Sequence, residues 1–187
     1  MSTPDLPPIN DRSYGVIPLR LLPTSTTTKP STTNTHLLLI SQKTLPPPNH
    51  PPGQPVPTFW CFPKGHPEKG DGPIEHTAVR ELEEETSLRI SVSDLIPLYD
   101  KEGNEIHLKE RYTNPIRRKG KEVTYFLGLV PEGQEIKLQE KEVADARWVS
   151  WDEAIGLITF EECRSMLGVV REALDSGEGE GKVREKI

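Results

Sequence analysis

The stretch FPKGHPEKGDGPIEHTAVRELEEETSL, residues 62–88, contains the features that decide the fold. It opens with a turn rich in glycine and proline, in which the backbone can approach a ligand closely. Pro73 then suits the first turn of a helix. Apolar residues at helical spacing, Ala78, Val79 and Leu82, predict that this helix runs to about Thr86. The strand candidate TFWCFP precedes the turn, so the stretch predicts a strand, a ligand-binding loop and a helix.

The end of this helix carries four glutamates. Glu81, Glu84 and Glu85 are spaced i, i+3 and i+4, so their side chains converge, whereas Glu83 points to nearly the opposite side. Each like-charge pair costs about 0.2–0.5 kcal/mol, and exposed acids in the last turn oppose the helix dipole by about 0.3–1 kcal/mol each. A divalent cation would reverse these costs, and Mg²⁺ favours carboxylate oxygens, water and phosphate. The alternative is a solvated acidic face, which is common on helices.

Composition bounds the class of protein. The 187 residues suggest one domain with a single core, and the net charge of −6 argues against general nucleic-acid binding. No apolar run approaches the roughly 18–20 residues that span a membrane, and the N-terminus lacks the pattern of a secretory signal. Cys61 and Cys163 have no metal-type spacing. We therefore expect an intracellular protein, cytoplasmic or nuclear, with two reduced and buried thiols.

Strand candidates alternate with polar insertions along the chain. The strand candidates are SYGVIPLRLL, HLLLIS, TFWCFP, RISVSDLIPLYD, EIHLKERYT, EVTYFLGLV and ARWVS. A Thr-rich insertion at about 23–35 and a Pro-rich insertion at about 44–58 interrupt one domain, predicted at 13–175, as tolerated surface loops. Residues 1–12 and 176–187 are predicted to be a flexible N-terminus and a disordered tail.

Two helices are predicted after the last strand. Ser150 with Glu153 and Thr159 with Glu162 form capping-box patterns at their starts. The order of elements, strands with one inserted helix and two late helices, predicts an α+β or α/β sandwich.

The segment RELEEETSL, residues 80–88, resembles the second half of the Nudix box of the Nudix hydrolases. Ser87 stands where that family usually has glycine, which indicates a modest conformational penalty. Gly65 opens the first half, with one residue more than the family pattern between it and Arg80. Because the metal-binding half is intact, the resemblance implies a working enzyme and a Nudix-type α/β/α sandwich with a mixed sheet.

The acid that braces Arg80 is left open by this resemblance. Asp71 stands where the family has a glutamate that bonds the arginine, and Glu75 is the other candidate. The segments FPKGH, EVTYFLGLV and EKEVADARWVSWDEA further resemble the diadenosine tetraphosphate hydrolase branch, and the similarity covers roughly residues 13–174 apart from the insertions.

Carried over by position, the resemblance implies that Glu81, Glu84 and Glu85 bind the metal together with a backbone carbonyl near Lys64 and Gly65. It makes Glu81 and Glu84 catalytic through that metal. Glu142 corresponds to a further metal ligand or general base of this branch. The alternative for Glu142 is an ordinary surface charge beside Lys141.

The substrate-binding residues follow from the same resemblance. Lys64 and His66 are expected to contact phosphate, and Tyr125 and Tyr112 to stack on a nucleotide base. The alternatives are a turn histidine bonded to the backbone and ordinary half-buried strand tyrosines. The basic segment 107–122 is expected to hold further phosphates through some of its cations, or else to be a solvated hairpin. The cations considered are Arg111, Arg117, Arg118 and Lys121.

The implied activity is hydrolysis of a phosphoanhydride bond with Mg²⁺, or Mn²⁺, as cofactor. Diadenosine tetraphosphate would give ATP and AMP, with a small molecule as the partner and no membrane. Alternative substrates are a diphosphoinositol polyphosphate, which suits the dense cations, an mRNA cap or a nucleoside-diphosphate sugar. An alternative of another class is a catalytically silent Nudix domain that binds nucleotide or protein.

Overall fold

The computed structural model describes residues 7–44, 46, 49–51, 53–100, 102–113 and 119–175. Within them, the chain forms eight strands and three α-helices, and the two kinds of element are mixed along the sequence. In chain order they are β1 (Ile9–Leu21), β2 (Thr35–Lys43), β3 (Thr58–Cys61), β4 (Lys64–Gly65), α1 (Ile74–Thr86), β5 (Leu95–Ile96), β6 (Leu108–Thr113), β7 (Gly120–Leu129), β8 (Val143–Val149), α2 (Trp151–Leu157) and α3 (Glu161–Asp175). None of these helices is both long enough and apolar enough to cross a membrane.

One mixed sheet contains all eight strands. Its main path is β3-β2-β1-β7-β5, with β4 paired to β1, β6 to β7 and β8 to β2. Strands β1 and β7 run parallel at its centre, from Ile9 opposite Gly120 to Leu19 opposite Leu129. The other strand pairs are antiparallel. The predicted mixed sheet is therefore confirmed.

Helices cover both faces of the sheet. Successive strand residues point to opposite sides, so each face presents its own set of apolar side chains for a helix to cover. On one face, Val16 and Leu38 pack with Ala78 and Leu82 of α1. On the other face, apolar residues of β1 and β7 pack with α2 and α3. That second core includes Ile17, Leu19, Val123, Leu127, Ala154, Met166, Leu167 and Val170. The result is the predicted α/β/α sandwich.

Helix α1 agrees with its prediction at both ends. Pro73 is its N-cap, and the helix ends at Thr86. Ser87 follows in the left-handed region with φ 63° and ψ 8°, and its backbone N–H donates to the Glu83 carbonyl at 2.7 Å. Left-handed backbone just after a helix is the conformation that glycine adopts most readily.

The strand predicted at RISVSDLIPLYD is mostly wrong. Val92–Asp94 form a 3₁₀ helix, and only Leu95–Ile96 pair with β7. The cause is local: the Asp94 carboxylate accepts a 2.7 Å bond from the Ser91 backbone N–H, which competes with strand pairing.

The starts of β1 and α3 also differ from their predicted positions. β1 begins at Ile9, inside the segment predicted to be flexible, because Ile9 pairs with Gly120. The Thr159 hydroxyl accepts from the Trp60 N–H at 2.9 Å, and α3 begins only at Glu161. The predictions for residues 1–6 and 176–187 lie outside the described residues.

Candidate active site

A cleft of about 820 Å³ opens between the loop after β2, strand β4, the last turns of α1 and the loop before β8. Seven of the predicted site residues line it, from four separate parts of the chain: Lys64, Gly65, His66, Glu81, Glu84, Lys121 and Glu142. Sheet pairing and helix docking bring these residues together, so the cleft is the candidate active site.

Gly65 fits this cleft because it lacks a side chain. It pairs with Tyr14 in the short β1–β4 ladder, which aims its missing Cβ at helix α1. A Cβ built at this position would lie 2.1 Å from the carboxyl carbon of Glu81. The glycine therefore lets the backbone and the Glu81 carboxylate lie side by side.

Glu85 lies under the cleft and is almost fully buried. Its Oε2 accepts a 2.9 Å bond from the Lys64 backbone N–H, and its Oε1 accepts a 3.4 Å bond from Gln42 Nε2. Burial raises the pKa of Glu85 to about 8, although the nearby Lys64 opposes this shift. Glu85 thus ties α1 to β4 and β2.

Glu81 and Glu84 share one partner on their own helix. Arg80 Nη1 lies 3.0 Å from Glu81 Oε1 and 2.9 Å from Glu84 Oε2. Burial raises the pKa of Glu81 to about 7; Arg80 opposes the shift, and the negative charges of Glu84 and Glu142 add to it. Glu83 points away, as predicted, and its carboxylate pairs with Arg89 at 2.7 Å.

The predicted convergence of acids on a metal is not reached in this arrangement. In the part of the chain that the structure describes, the side chains as they stand do not bring three or more His, Cys, Asp or Glu groups together in a metal-binding arrangement. Arg80 separates Glu81 from Glu84, and Glu85 is bonded to Lys64 and Gln42.

The donor chemistry nevertheless fits a hard divalent cation. Carboxylate oxygens are preferred ligands of Mg²⁺. The Gly65 backbone lies beside the Glu81 carboxylate in a space that a side chain would fill. Burial and neighbouring negative charges raise the pKa values of Glu81 and Glu85, and a bound cation would lower them again. These residues therefore fit the implied metal.

Asp71 is the acid that braces Arg80. Arg80 Nε donates to Asp71 Oδ1 at 3.1 Å and Nη2 donates to Oδ2 at 3.0 Å, while Nη2 also reaches the His66 carbonyl at 2.8 Å. These bonds from Arg80 hold the pKa of Asp71 well below its usual range. Glu75, the other candidate, instead lines a cavity with Val92 and Leu95. The shorter acid thus ties the loop after β4 to the helix.

Glu142 faces the cleft from the loop before β8 and is exposed. Its charge contributes to the raised pKa values of both Glu81 and Glu85. This position is compatible with a general base or a metal ligand, and both roles remain predictions.

The cationic residues of the cleft differ in exposure. Lys64 is buried, and its Nζ donates to Gln42 Oε1 at 2.5 Å. The His66 ring is about half exposed, and its Nε2 lies 2.8 Å from Asp11 Oδ1. The same Asp11 oxygen lies 3.4 Å from Lys121 Nζ. Sequence reasoning missed Asp11 and Gln42, because only the folded sheet brings them beside His66 and Lys64.

The stacking role predicted for Tyr125 is wrong for this structure. Its side chain is only 2% exposed. The ring packs edge-on against Phe62 with centroids 5.8 Å apart, and its hydroxyl donates to Glu110 at 3.1 Å. A nucleotide base cannot stack on a ring enclosed in the core.

Tyr112 belongs instead to an aromatic wall formed by Phe59, Tyr112 and Phe160. The rings of Tyr112 and Phe160 are parallel within 8°, with centroids 6.1 Å apart, and Phe160 meets Phe59 edge-on at 5.2 Å. Lys64 connects this wall to the cleft, since its Nζ lies 5.5 Å from the Phe59 ring centroid. Sequence reasoning missed Phe160, because only tertiary packing brings its ring beside Tyr112 and Phe59.

The basic segment divides between two faces of the sheet. Lys121 lines the cleft. Arg111 and Lys109 approach Glu122 on the opposite face, at 2.7 Å and 3.9 Å. Arg117 and Arg118 lie outside the described residues.

Known proteins agree with this fold. A model of the NUDIX domain matches residues 29–165, more than half of the chain. The asymmetrical bis(5′-nucleosyl)-tetraphosphatase of Rattus norvegicus is 35% identical over 109 residues, which are 58% of this chain and 67% of that protein. The corresponding Mus musculus protein is 34% identical over 109 residues, with the same shares of the two chains.

Solved structures show the same fold. A C. elegans Ap4A hydrolase in a binary complex superposes with a TM-score of 0.62 at 22% identity, covering 89% of this chain and 98% of that chain. The NUDIX domain of Shewanella oneidensis NrtR, complexed with ADP ribose, superposes with a TM-score of 0.59 at 14% identity, covering 87% and 86%.

The fold and the site define a Nudix pyrophosphohydrolase. The chain belongs to the Nudix family, and its resemblance to the branch that contains the diadenosine tetraphosphate hydrolases is confirmed.

Proposed function

We propose that the chain is a Mg²⁺-dependent hydrolase of dinucleoside polyphosphates, which converts diadenosine tetraphosphate and water to ATP and AMP. The observation that carries the proposal is one cleft in which Glu81, Glu84 and Glu142 lie near cationic groups for a polyphosphate. The similarity to the rat tetraphosphatase supports the choice of substrate.

In this proposal the acids of α1 hold the metal. Glu81, Glu84 and Glu85 supply carboxylate oxygens, and the Gly65 backbone lies beside the first of them. When bound, the metal offsets negative charge on the attacking and leaving oxygens. Asp71 keeps Arg80 between the helix and the His66 carbonyl, which fixes the loop that shapes this end of the cleft.

The protein side of the reaction needs a base and phosphate-binding groups. Glu142 accepts a proton from the attacking water, whose oxygen forms a bond to phosphorus in line with the bridging oxygen that leaves. Lys121 and His66 bind the phosphates from the β1 side of the cleft, and Lys64 lies at its floor. Mn²⁺ would serve the same donors.

The aromatic wall is the proposed site for one nucleotide base. Tyr112 is only partly buried and presents a flat ring stacked with Phe160, beside the Lys64 end of the cleft. A flat base gains dispersion and stacking energy on such rings. Tyr112 therefore keeps the role first assigned to it, and Phe160 joins it.

A diphosphoinositol substrate is favoured less by the described residues. Its many phosphates need several cations facing one cleft. Lys109 and Arg111 are directed instead toward Glu122 on the other face of the sheet.

Two glutamates on the same helix provide the test. Glu84→Gln should lower kcat for diadenosine tetraphosphate by at least about 100-fold, the loss typical of removing one charge-stabilising group. Glu83→Gln is the matched control, because Glu83 pairs with Arg89 outside the cleft, and its kcat should stay at the wild-type value. Equal activity of Glu84→Gln and wild type would contradict the metal-site assignment, and no turnover by wild type would favour the silent binding module.

A further inference from the structure

A second groove of about 500 Å³ adjoins the cleft on the far side of His66. His66 lines both cavities, so its ring forms the wall between them. The residues that line the groove are Asn10, Asp11, Arg12, Tyr14, His66, Pro67 and Lys119. The proposed reaction does not use this groove. The first residues of β1 form part of its lining.

The groove has a cationic rim. Arg12 and Lys119 are both exposed. Arg12 Nε lies 3.7 Å from Glu122 Oε1, and its side chain is 57% exposed. That separation exceeds hydrogen-bond length, so the guanidinium keeps donors for a second anion. An arginine and a lysine that line one groove suit a phosphate group.

Asp11 adds a hydrogen-bond acceptor at the groove. Its side chain is 8% exposed, and Oδ1 holds His66 at 2.8 Å. Its other oxygen, Oδ2, is buried and has no hydrogen-bond partner among the described residues. An unpaired buried carboxylate oxygen is costly, and an enclosed water molecule would satisfy it.

The remaining lining is largely apolar. Tyr14 is half-buried and also packs with the core under α1, and Pro67 lies next to His66 along the chain. A ring and a proline offer flat, apolar surface of the kind that a base or a sugar face contacts.

We propose that this groove binds the second nucleotide of the dinucleoside polyphosphate. One base lies on the aromatic wall, the phosphate chain passes over the glutamates and His66, and the far nucleotide enters the groove. There Arg12 and Lys119 bind its phosphate, and its base or sugar lies against Tyr14 and Pro67. This inference rests on the proposed function, because only a substrate with two nucleotides needs both ends.

Binding measurements on a slow-turnover background test the proposal. In the Glu84→Gln protein with Mg²⁺, titration calorimetry would compare diadenosine tetraphosphate, which spans both cavities, with ADP, which has one base and a short phosphate chain. Adding Arg12→Gln and Lys119→Gln should raise the Kd for diadenosine tetraphosphate about tenfold or more, through the loss of charge-assisted bonds. The Kd for ADP should stay within about twofold.

A charge-matched control separates a built site from general attraction of anions. Arg89→Gln with Arg171→Gln removes two exposed cations that pair with Glu83 and Asp152, away from both cavities. These changes should leave both Kd values unaltered. A parallel loss of ADP affinity in the groove variant, or an unchanged Kd for diadenosine tetraphosphate, would overturn the groove assignment alone.

Measurements on the wild-type enzyme distinguish failure of the second subsite from failure of the proposed function. If it hydrolyses diadenosine tetraphosphate and the groove variant binds this substrate normally, only the second subsite is refuted. If wild type neither binds nor hydrolyses it, the proposed function and the subsite fail together.

Discussion

At the scale of single residues, burial decides what each ionisable or strained side chain can do. Glu85 and Glu110 are carboxylates in the interior, and both have raised pKa values because burial disfavours their charge. Tyr125, predicted to meet a base, is enclosed and serves Glu110 as a hydrogen-bond donor. Ser87 is the only non-glycine residue with positive φ in the described part of the chain. Each of these positions gives a measurable consequence.

Replacement of Ser87 should raise or lower the unfolding free energy, depending on the new residue. The left-handed backbone costs a residue with a Cβ about 1–2 kcal/mol, and glycine largely avoids that cost. Ser87→Gly should therefore raise the unfolding free energy by up to about 1 kcal/mol, despite losing the 3.1 Å bond from Ser87 Oγ to the Lys137 carbonyl. Ser87→Ala keeps the strain, loses the bond and should destabilise. Urea denaturation of both variants measures this, and a less stable Ser87→Gly would contradict it.

Glu110 should make stability depend on pH. Burial raises its folded-state pKa above the ordinary value of 4.5. The stability that Glu110 contributes is therefore complete below pH 4.5, its ordinary pKa. This contribution is lost as the pH rises through the raised pKa of the folded state. Glu110→Gln keeps an acceptor for the Tyr125 hydroxyl but removes the charge. The variant should gain stability relative to wild type between pH 4 and pH 8, measured by urea denaturation, and a difference independent of pH would contradict the assignment.

At the scale of elements, the loop after β4 and helix α1 act as one unit. Asp71 bonds Arg80 through two nitrogens and also accepts from Thr77 Oγ1 at 2.8 Å. Arg80 in turn reaches the His66 carbonyl and the carboxylates of the helix. The unit holds the phosphate-binding loop against the acidic end of α1.

Removal of the brace should reduce activity without unfolding the protein. Asp71→Ala frees Arg80 to pair more fully with the α1 carboxylates and loosens the loop, so kcat/KM for diadenosine tetraphosphate should fall about tenfold or more. Glu75→Ala, on the same unit but without a role in bracing, should retain wild-type activity. Steady-state kinetics measure both, and a larger loss in the Glu75 variant would show that the brace is misassigned.

Gly65 offers a second change within the same unit. A methyl group at this position would collide with the Glu81 carboxyl group at about 2.1 Å. Gly65→Ala should therefore displace Glu81 or the loop and reduce kcat by at least about 100-fold. Gly72→Ala is the control, because a Cβ there meets nothing closer than 3.6 Å. Similar kcat values for both variants and wild type would contradict this account of the β4–α1 contact.

At the scale of the whole molecule, the two polar insertions lie in different places. Thr44, Pro46 and Val56 of the Pro-rich insertion line the cleft, and the Thr44 N–H to Pro57 carbonyl bond of 2.9 Å closes the base of that loop. In the Thr-rich insertion, Thr32 bonds Asp175 at the end of α3. Among the described residues of the two insertions, those that line the cleft belong to the first.

Loop replacement should separate these positions. Replacing residues 46–56 by a short Gly-Ser linker should raise KM for diadenosine tetraphosphate several-fold, because one wall of the cleft is lost. Replacing residues 24–33 in the same way should leave KM and kcat unchanged. Thermal melting of both proteins controls for folding, and an effect on KM from the Thr-rich replacement alone would contradict this placement.

Sequence patterns predicted the local features of this molecule better than the contacts between distant segments of the chain. Spacing along one helix sufficed for the bounds of α1 and for the outward direction of Glu83, because these relations depend on neighbouring turns. The aromatic wall, Asp11 and Gln42 could not be predicted, since β6, α3, β1 and β2 meet only through the sheet and the layers on it. The role of Tyr125 failed because alternation along β7 does not say which of its side chains the packed layers enclose.

The measurement that tests the central claim most directly is product analysis by anion-exchange chromatography. Purified wild-type protein would receive diadenosine tetraphosphate, a diphosphoinositol polyphosphate, capped RNA and ADP-ribose, each with Mg²⁺ and with EDTA. The account predicts ATP and AMP from diadenosine tetraphosphate, formed with Mg²⁺ and not with EDTA. Cleavage of the inositol compound alone, or hydrolysis that persists in EDTA, would contradict it.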